Sequence, residues 1–141
     1  MNTDTAAIRI ALDVMGGDFA PAHEVEGALL AARHLALITP VEFIFVGREN
    51  DIRAAMRKHD FTGVRYSIIN ADDVVTMEDE PAVAYRTKKT SSLYVATECV
   101  KNGLADAVVS AGNTGAVMSF ATLMLGRIRG VSRPTIGSFL P

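Results

Sequence analysis

The residues with the most chemical capacity stand in three short stretches: Ser110-Ala-Gly-Asn-Thr-Gly115, Asp13-Val-Met-Gly-Gly-Asp18 and Arg86-Thr-Lys-Lys-Thr-Ser-Ser92. In the first, Gly112 and Gly115 let the backbone approach a ligand closely, and the N–H groups opening the next helix offer an anion site. Asn113 and Thr114 add side-chain donors without charge, so phosphate is the natural guest. The same residues also suit an ordinary turn in which Asn113 or Thr114 caps a helix. In the second stretch, Asp13 and Asp18 flank Gly16 and Gly17. Either acid could orient a donor or act as a base; either could equally cap the following helix. The stretch matches neither G-x-G-x-x-G nor G-x-x-x-x-G-K-[ST], so a dinucleotide or P-loop assignment finds no support. In the third, Arg86, Lys88 and Lys89 precede a helix start that carries Ser91 and Ser92. Cations there oppose the helix dipole, a local conflict that an anionic ligand would resolve and that a solvated basic loop also explains.

Other chemistries have less to work with. His23, His34 and His59 lie on helical segments without H-E-x-x-H or paired metal spacing. A single cysteine, Cys99, excludes an internal disulfide and any multi-cysteine zinc site, and its apolar neighbours Leu93, Ala96 and Val100 read as core. No G-x-S-x-G elbow is present. The chain has no tryptophan and no interleaving of basic and aromatic residues, so nucleic-acid stacking is unsupported.

These residues must be held by elements, and the hydrophobic pattern supplies them. Short apolar runs predict strands over Ile8–Asp13, Val41–Val46, Val64–Ile69 and Ala107–Ser110. Helical spacing of Val25, Ala28, Leu29, Ala32, Leu35 and Ala36 predicts a helix opened by Pro21 at a first-turn position. A second helix is expected over Glu49–His59. Residues 72–82 read as an acidic loop. Thr90 or Ser91 should cap a helix running to Asn102, stopped by Gly103, and Ala116–Leu125 should form the last helix. Arg133-Pro134 breaks the chain, and Ile136–Leu140 reads as a further strand. Strands alternating with helices imply an α/β layered domain with a largely parallel sheet. Ligands of such sheets bind beyond the carboxyl ends of the strands, where all three stretches fall.

With 141 residues the chain has room for one domain. Apolar residues make up 49% and charged residues 21%, a globular composition. The net charge of −2 excludes a protein built as a polycation for nucleic acid. The charge is unevenly divided: residues 1–80 carry seven basic and fourteen acidic side chains, residues 81–141 seven and two. The second part, at +5, can face an acidic substrate or partner, or simply be a solvated face. Residues 107–126 lack any charge and are long enough to span a bilayer. Ser110–Gly115 would then put a polar loop in hydrocarbon, so a buried strand–turn–helix is the better reading. No signal peptide is visible at the start, so a cytoplasmic protein is expected. The chain stops at Pro141 just as a strand begins, so residues 1–141 are expected to be the N-terminal part of a single, larger α/β domain.

In order along the chain, Ile10-Ala-Leu-Asp-Val-Met-Gly-Gly-Asp-Phe-Ala-Pro21, Met77-Glu-Asp-Glu-Pro-Ala with Arg86-Thr-Lys-Lys-Thr-Ser-Ser92, Ala107-Val-Val-Ser-Ala-Gly-Asn-Thr-Gly-Ala116 and Arg133-Pro-Thr-Ile resemble the bacterial phosphate acyltransferases of the PlsX type. The resemblance implies a Rossmann-like three-layer α/β/α fold related to phosphotransacetylases and isocitrate dehydrogenase-like proteins. It implies formation of acyl phosphate from acyl-[acyl carrier protein] and inorganic phosphate in phospholipid synthesis, with no cofactor and no metal. It further implies a homodimer, peripheral contact with the membrane and delivery of product to a membrane-bound glycerol-3-phosphate acyltransferase. On this reading Lys88, Lys89 and Asn113 are the candidate catalytic residues. Asp13, Gly16, Gly17, Asp18, Ser91, Ser92, Gly112, Thr114 and Gly115 are the candidate phosphate or substrate contacts. The family runs to more than twice this length. Two alternatives stay open: a related acyltransferase that uses acyl-CoA, and a non-catalytic fragment that binds phosphate or a partner.

Overall fold

The apolar runs become strands because two covered faces reward a continuous apolar sequence. The computed structural model describes residues 6–138. In it β1 (Ile8–Asp13), β2 (Val41–Gly47), β3 (Arg65–Asn70) and β4 (Ala107–Ser110) form one sheet in the order β3-β2-β1-β4, with every neighbouring pair parallel. Parallel neighbours need crossovers. These are α1 (Ala22–Leu35), α2 (Glu49–Met56), and the pair α3 (Pro81–Thr87) and α4 (Ser92–Lys101); α5 (Thr114–Leu125) follows β4. The expected Rossmann-like α/β arrangement is therefore present.

Alternation along the strands sorts side chains between two layers. Phe43 and Phe45 pack with Leu12, Val25, Ala28 and Ile52 in the α1/α2 layer. Ile44 and Val46 point the other way, onto Ala96 and Cys99 of α4. A third cluster joins α3, α4 and α5 through Ala84, Leu93, Ala116, Phe120 and Met124. Phe45 and Phe120 are fully buried, each stabilising by about 1.5–3 kcal/mol relative to exposure.

Several boundaries differ from the sequence reading. Pro21 stands at the cap position before α1 rather than in its first turn, and the apolar stripe ends early, with Leu35 half-buried and Ala36 exposed. The second helix stops at Met56, and the third strand begins at Arg65 rather than Val64. The stretch read as loop through residue 82 already contains the start of α3. Glu80 accepts hydrogen bonds from the N–H groups of Ala82 and Val83, and Pro81 takes the first helical position, where its missing donor costs nothing. α5 starts at Thr114, two residues early, because Asn113 caps it. Residues 136–138 are exposed and form no strand; a strand needs a ladder partner, and none of the described residues supplies one. Phe139 and Leu140 lie outside the described residues. The Ser91 cap of α4 and the Gly103 stop, at φ 72°, match expectation.

Candidate functional site

The sheet order makes β1 a turning point. One crossover carries the chain from β1 to β2, and the later one brings β4 to the opposite side of β1. The crevice between the carboxyl ends of β1 and β4 is thus where an open α/β sheet accepts ligands. Register sets Asp13 directly beside Ser110 there.

Asp13 is 2% exposed. Its Oδ2 accepts the Ser110 hydroxyl at 2.7 Å and its Oδ1 accepts the Met15 N–H at 3.2 Å. Ser110 Oγ in turn accepts the Gly112 N–H at 3.1 Å. The loops after β1 and β4 are pressed together over this pair. A Cβ on Gly16 would lie 2.6 Å from Asp13 Oδ2, and one on Gly112 would lie 3.1 Å from Gly16 Cα. Neither position has room for a side chain. Gly17 rests against the Glu24 carboxylate, and Asp18 is exposed.

Asn113 performs two jobs. Its Oδ1 accepts the Ala116 N–H at 3.0 Å, capping α5. Its Nδ2 donates to the carbonyls of Thr76 and Asp79, both at 3.1 Å, and more weakly to Met77 at 3.4 Å. The first turn of a helix has N–H groups without intrahelical partners. With that of Ala116 used by the cap, those of Thr114 and Gly115 remain at the positive end of the α5 dipole. Thr114 is exposed, and Gly115 packs against Pro81.

The acidic loop held by Asn113 is pinned a second time. Lys88 Nζ donates to Asp79 Oδ2 at 2.7 Å and to the Val74 carbonyl at 2.8 Å. The Lys88 ammonium, with the Thr76 N–H, holds the Asp79 carboxyl below the usual carboxylate range. Lys88 and Asn113 therefore shape the rim of the crevice by fixing residues 74–79. Lys89 is exposed. Ser91 is buried, donating to the Lys88 carbonyl at 2.7 Å while capping α4. Ser92 is 1% exposed, and its Oγ has no hydrogen-bond partner among the described residues.

The structure thus brings Asp13, Gly16 and Gly112 into one cluster and Asn113, Thr114, Gly115 and Lys88 into a second beside it. It leaves Asp18 and Lys89 at the surface. Ser110, Glu24 and Asp79 belong to the site although sequence reasoning did not nominate them; Ser110 follows from Asp13 only once the β1/β4 register is known. Among the described residues no cluster of three or more His, Cys, Asp or Glu side chains is placed to hold a metal ion, and no helix is long and apolar enough to cross a membrane. Cys99 is buried, and burial pushes its thiol pKa up.

Residues 8–141 match a family described as fatty acid synthesis protein. Among curated proteins the chain is similar to the phosphate acyltransferase of Pelotomaculum thermopropionicum, 46% identical over 95% of this chain and 38% of that protein. It is 48% identical to the phosphate acyltransferase of Desulforamulus reducens, over 95% of this chain and 39% of the relative. The corresponding protein of Dictyoglomus turgidum is 42% identical over the same shares. The chain spans under two fifths of the length of these relatives.

Proposed function

The chain belongs to the fatty acid synthesis protein family, and from that premise we propose that it carries the phosphate-holding part of a phosphate acyltransferase acting on acyl-[acyl carrier protein]. The observation that carries this reading is the crevice itself: two loops closed over each other by glycines, with the first N–H groups of α5 at its rim. Phosphate sits against the Thr114 and Gly115 N–H groups, where the dipole favours negative charge. Held there, it has lost the translational freedom that a bimolecular attack would otherwise require. One of its oxygens attacks the thioester carbonyl, the carbonyl–sulfur bond breaks, and the carrier leaves as thiolate with acyl phosphate as product. Asn113 and Lys88 act by holding the 74–79 rim in place. Lys89, exposed in the turn before α4, is the cation we assign to the developing oxyanion.

Two further features support the donor. An apolar cleft of about 560 Å³ lies between α5, at Thr114, Val117, Met118 and Leu125, and the exposed segment that follows it, at Arg127, Ile128 and Ile136; its mainly aliphatic lining suits a hydrocarbon chain. The basic excess of residues 81–141 suits docking of an acidic carrier protein. The same reading places the reaction in the cytoplasm, in a homodimer working at the membrane surface where acyl phosphate is consumed in phospholipid synthesis. The test is acyl phosphate formation, trapped with hydroxylamine, from acyl-[acyl carrier protein] or acyl-CoA plus phosphate, using the complete protein that contains this chain. Phosphate-dependent product from the carrier-bound donor is expected. Preference for acyl-CoA would reassign the donor, and no product from either, with folded protein, would sink the acyltransferase reading.

A further inference from the structure

We propose that the open side of β4 is an interface. In the complete protein it receives a strand and apolar side chains from the part of the molecule outside these residues, and that part brings a hydrogen-bond donor to Glu24. Nothing in this surface depends on phosphate occupying the crevice. β4 ends the sheet, with β1 its one neighbour among the described residues. Alternation fixes which of its main-chain groups are left over. The Val14 N–H donates to the Val46 carbonyl, so even-numbered residues of β1 turn their main chain to β2 and odd-numbered ones turn it to β4. The Arg9 carbonyl, which accepts the Asp106 N–H, conforms. By register, Ala107 and Val109 then bond to β1, and the N–H and carbonyl of Val108 face outward. Unpaired groups along a sheet edge are a template for a further strand.

The face beside that edge is also unfinished. Ile10, Leu12, Phe43 and Val109 of the sheet and Ala31 and Leu35 of α1 line an open cavity of about 420 Å³. Parallel sheets bury both faces, yet Val109 is 48% exposed. Glu24 lines the same cavity, and its Oε2 is buried without a hydrogen-bond partner among the described residues. A buried carboxylate oxygen left unpaired costs free energy, so it marks where a donor is missing. The length of the relatives identifies the occupant. This chain spans under two fifths of them, so more than half of such a protein is available to cover this side. A segment joined covalently reaches the edge at a high effective concentration, which a separate partner lacks. The edge, the apolar floor and the orphaned oxygen lie together, and one added strand with its neighbours satisfies all three.

Residue-resolved amide hydrogen exchange on the complete protein tests the edge, at low and high protein concentration with the oligomeric state measured at each by sedimentation. The Val108 N–H is expected to exchange on the order of a thousandfold more slowly than a free peptide at both concentrations, whereas an open edge exchanges almost freely. Protection that disappears in the dissociated protomer assigns the edge to a second copy, and near-free exchange throughout leaves it open; either result overturns the proposal. Two replacements test the donor. Glu24→Gln keeps an acceptor oxygen, whereas Glu24→Leu strands the incoming donor and should melt about 2–6 °C below Glu24→Gln. Were Oε2 satisfied by water alone, leucine would add apolar contact to an apolar cavity and melt no lower, which would overturn the donor. The exchange measurement needs no variant, so a replacement that fails to fold does not remove the test.

Discussion

Strands β1 and β4 are tied together at both ends, by opposite means. At the amino ends, Arg9 and Asp106 form an ion pair of good geometry: Nη2 to Oδ1 at 2.8 Å and Nε to Oδ2 at 3.2 Å. The Arg9 N–H adds a bond to the same carboxylate at 2.9 Å, and Nη1 reaches the Gly103 carbonyl at 2.9 Å. At the carboxyl ends a single hydroxyl bonds a single carboxylate, Ser110 to Asp13. The first tie has more bonds and two full charges. It is nevertheless the lesser one, because its side chains are 39% and 47% exposed and water replaces whatever is lost. Water has little access to Asp13, so the second tie fixes where two loops must sit. Burial, more than bond count, separates a tie that trims the sheet from one that positions a site.

The comparison breaks most visibly at Gly16. Alanine there would put a methyl 2.6 Å from Asp13 Oδ2 and 2.9 Å from Ser110 Oγ. Overpacking of this kind costs about 1–3 kcal/mol. Relief requires the two loops to part, so phosphate affinity measured by calorimetry should fall well beyond what the change in melting temperature explains. A Gly16→Ala protein that binds phosphate normally would show that the crevice does not depend on the buried tie. A smaller effect is expected at the rim. Asn113→Ala removes the α5 cap and the three bonds to the 76–79 carbonyls, a destabilisation of about 1–2 kcal/mol. Because the freed loop borders the crevice, KM for phosphate should rise more than kcat falls. Asn113→Asp tests the cap alone: it retains the acceptor for Ala116 and loses the donors. A purely capping role would leave Asn113→Asp with wild-type kinetics.

How much of this was legible beforehand follows from the range of the forces involved. All four strands, four of the five helices and the Ser91 cap came from local patterning, because apolar runs and capping side chains act within a few residues. The Asp13–Ser110 pair did not. Its partners are 97 residues apart, and only the parallel register of β1 with β4 makes them neighbours. A cation and an amide beside glycines suit an anion, so the sequence pattern points Lys88 and Asn113 at a ligand. The structure commits both to the 74–79 loop, a use invisible without knowing where that loop returns. α3 departs for a different reason: its start signal, Glu80-Pro81, sits inside an acidic run whose pattern reads as loop.

The amino-terminal tie offers the finest test of the comparison, since its effect should depend on pH and leave the site alone. The Arg9 side chain, first, and the Arg9 N–H, second, lower the Asp106 pKa from 3.8 to about 2. A carboxyl whose pKa is depressed on folding contributes stability above its unfolded value and loses it as pH falls through the folded one. The melting temperature of Arg9→Ala should therefore sit slightly below wild type at neutral pH, with the gap closing between pH 3.8 and about 2. The gap at neutral pH should stay small, because the backbone N–H of residue 9 still holds Asp106 in the variant. Phosphate affinity should be unchanged throughout. A gap that persists unaltered below pH 2 would trace the effect to the packed Arg9 stem rather than its charge. A change in anion affinity would show instead that the two ends of the β1–β4 pair are coupled along the strands, and that burial alone does not decide which tie shapes the crevice.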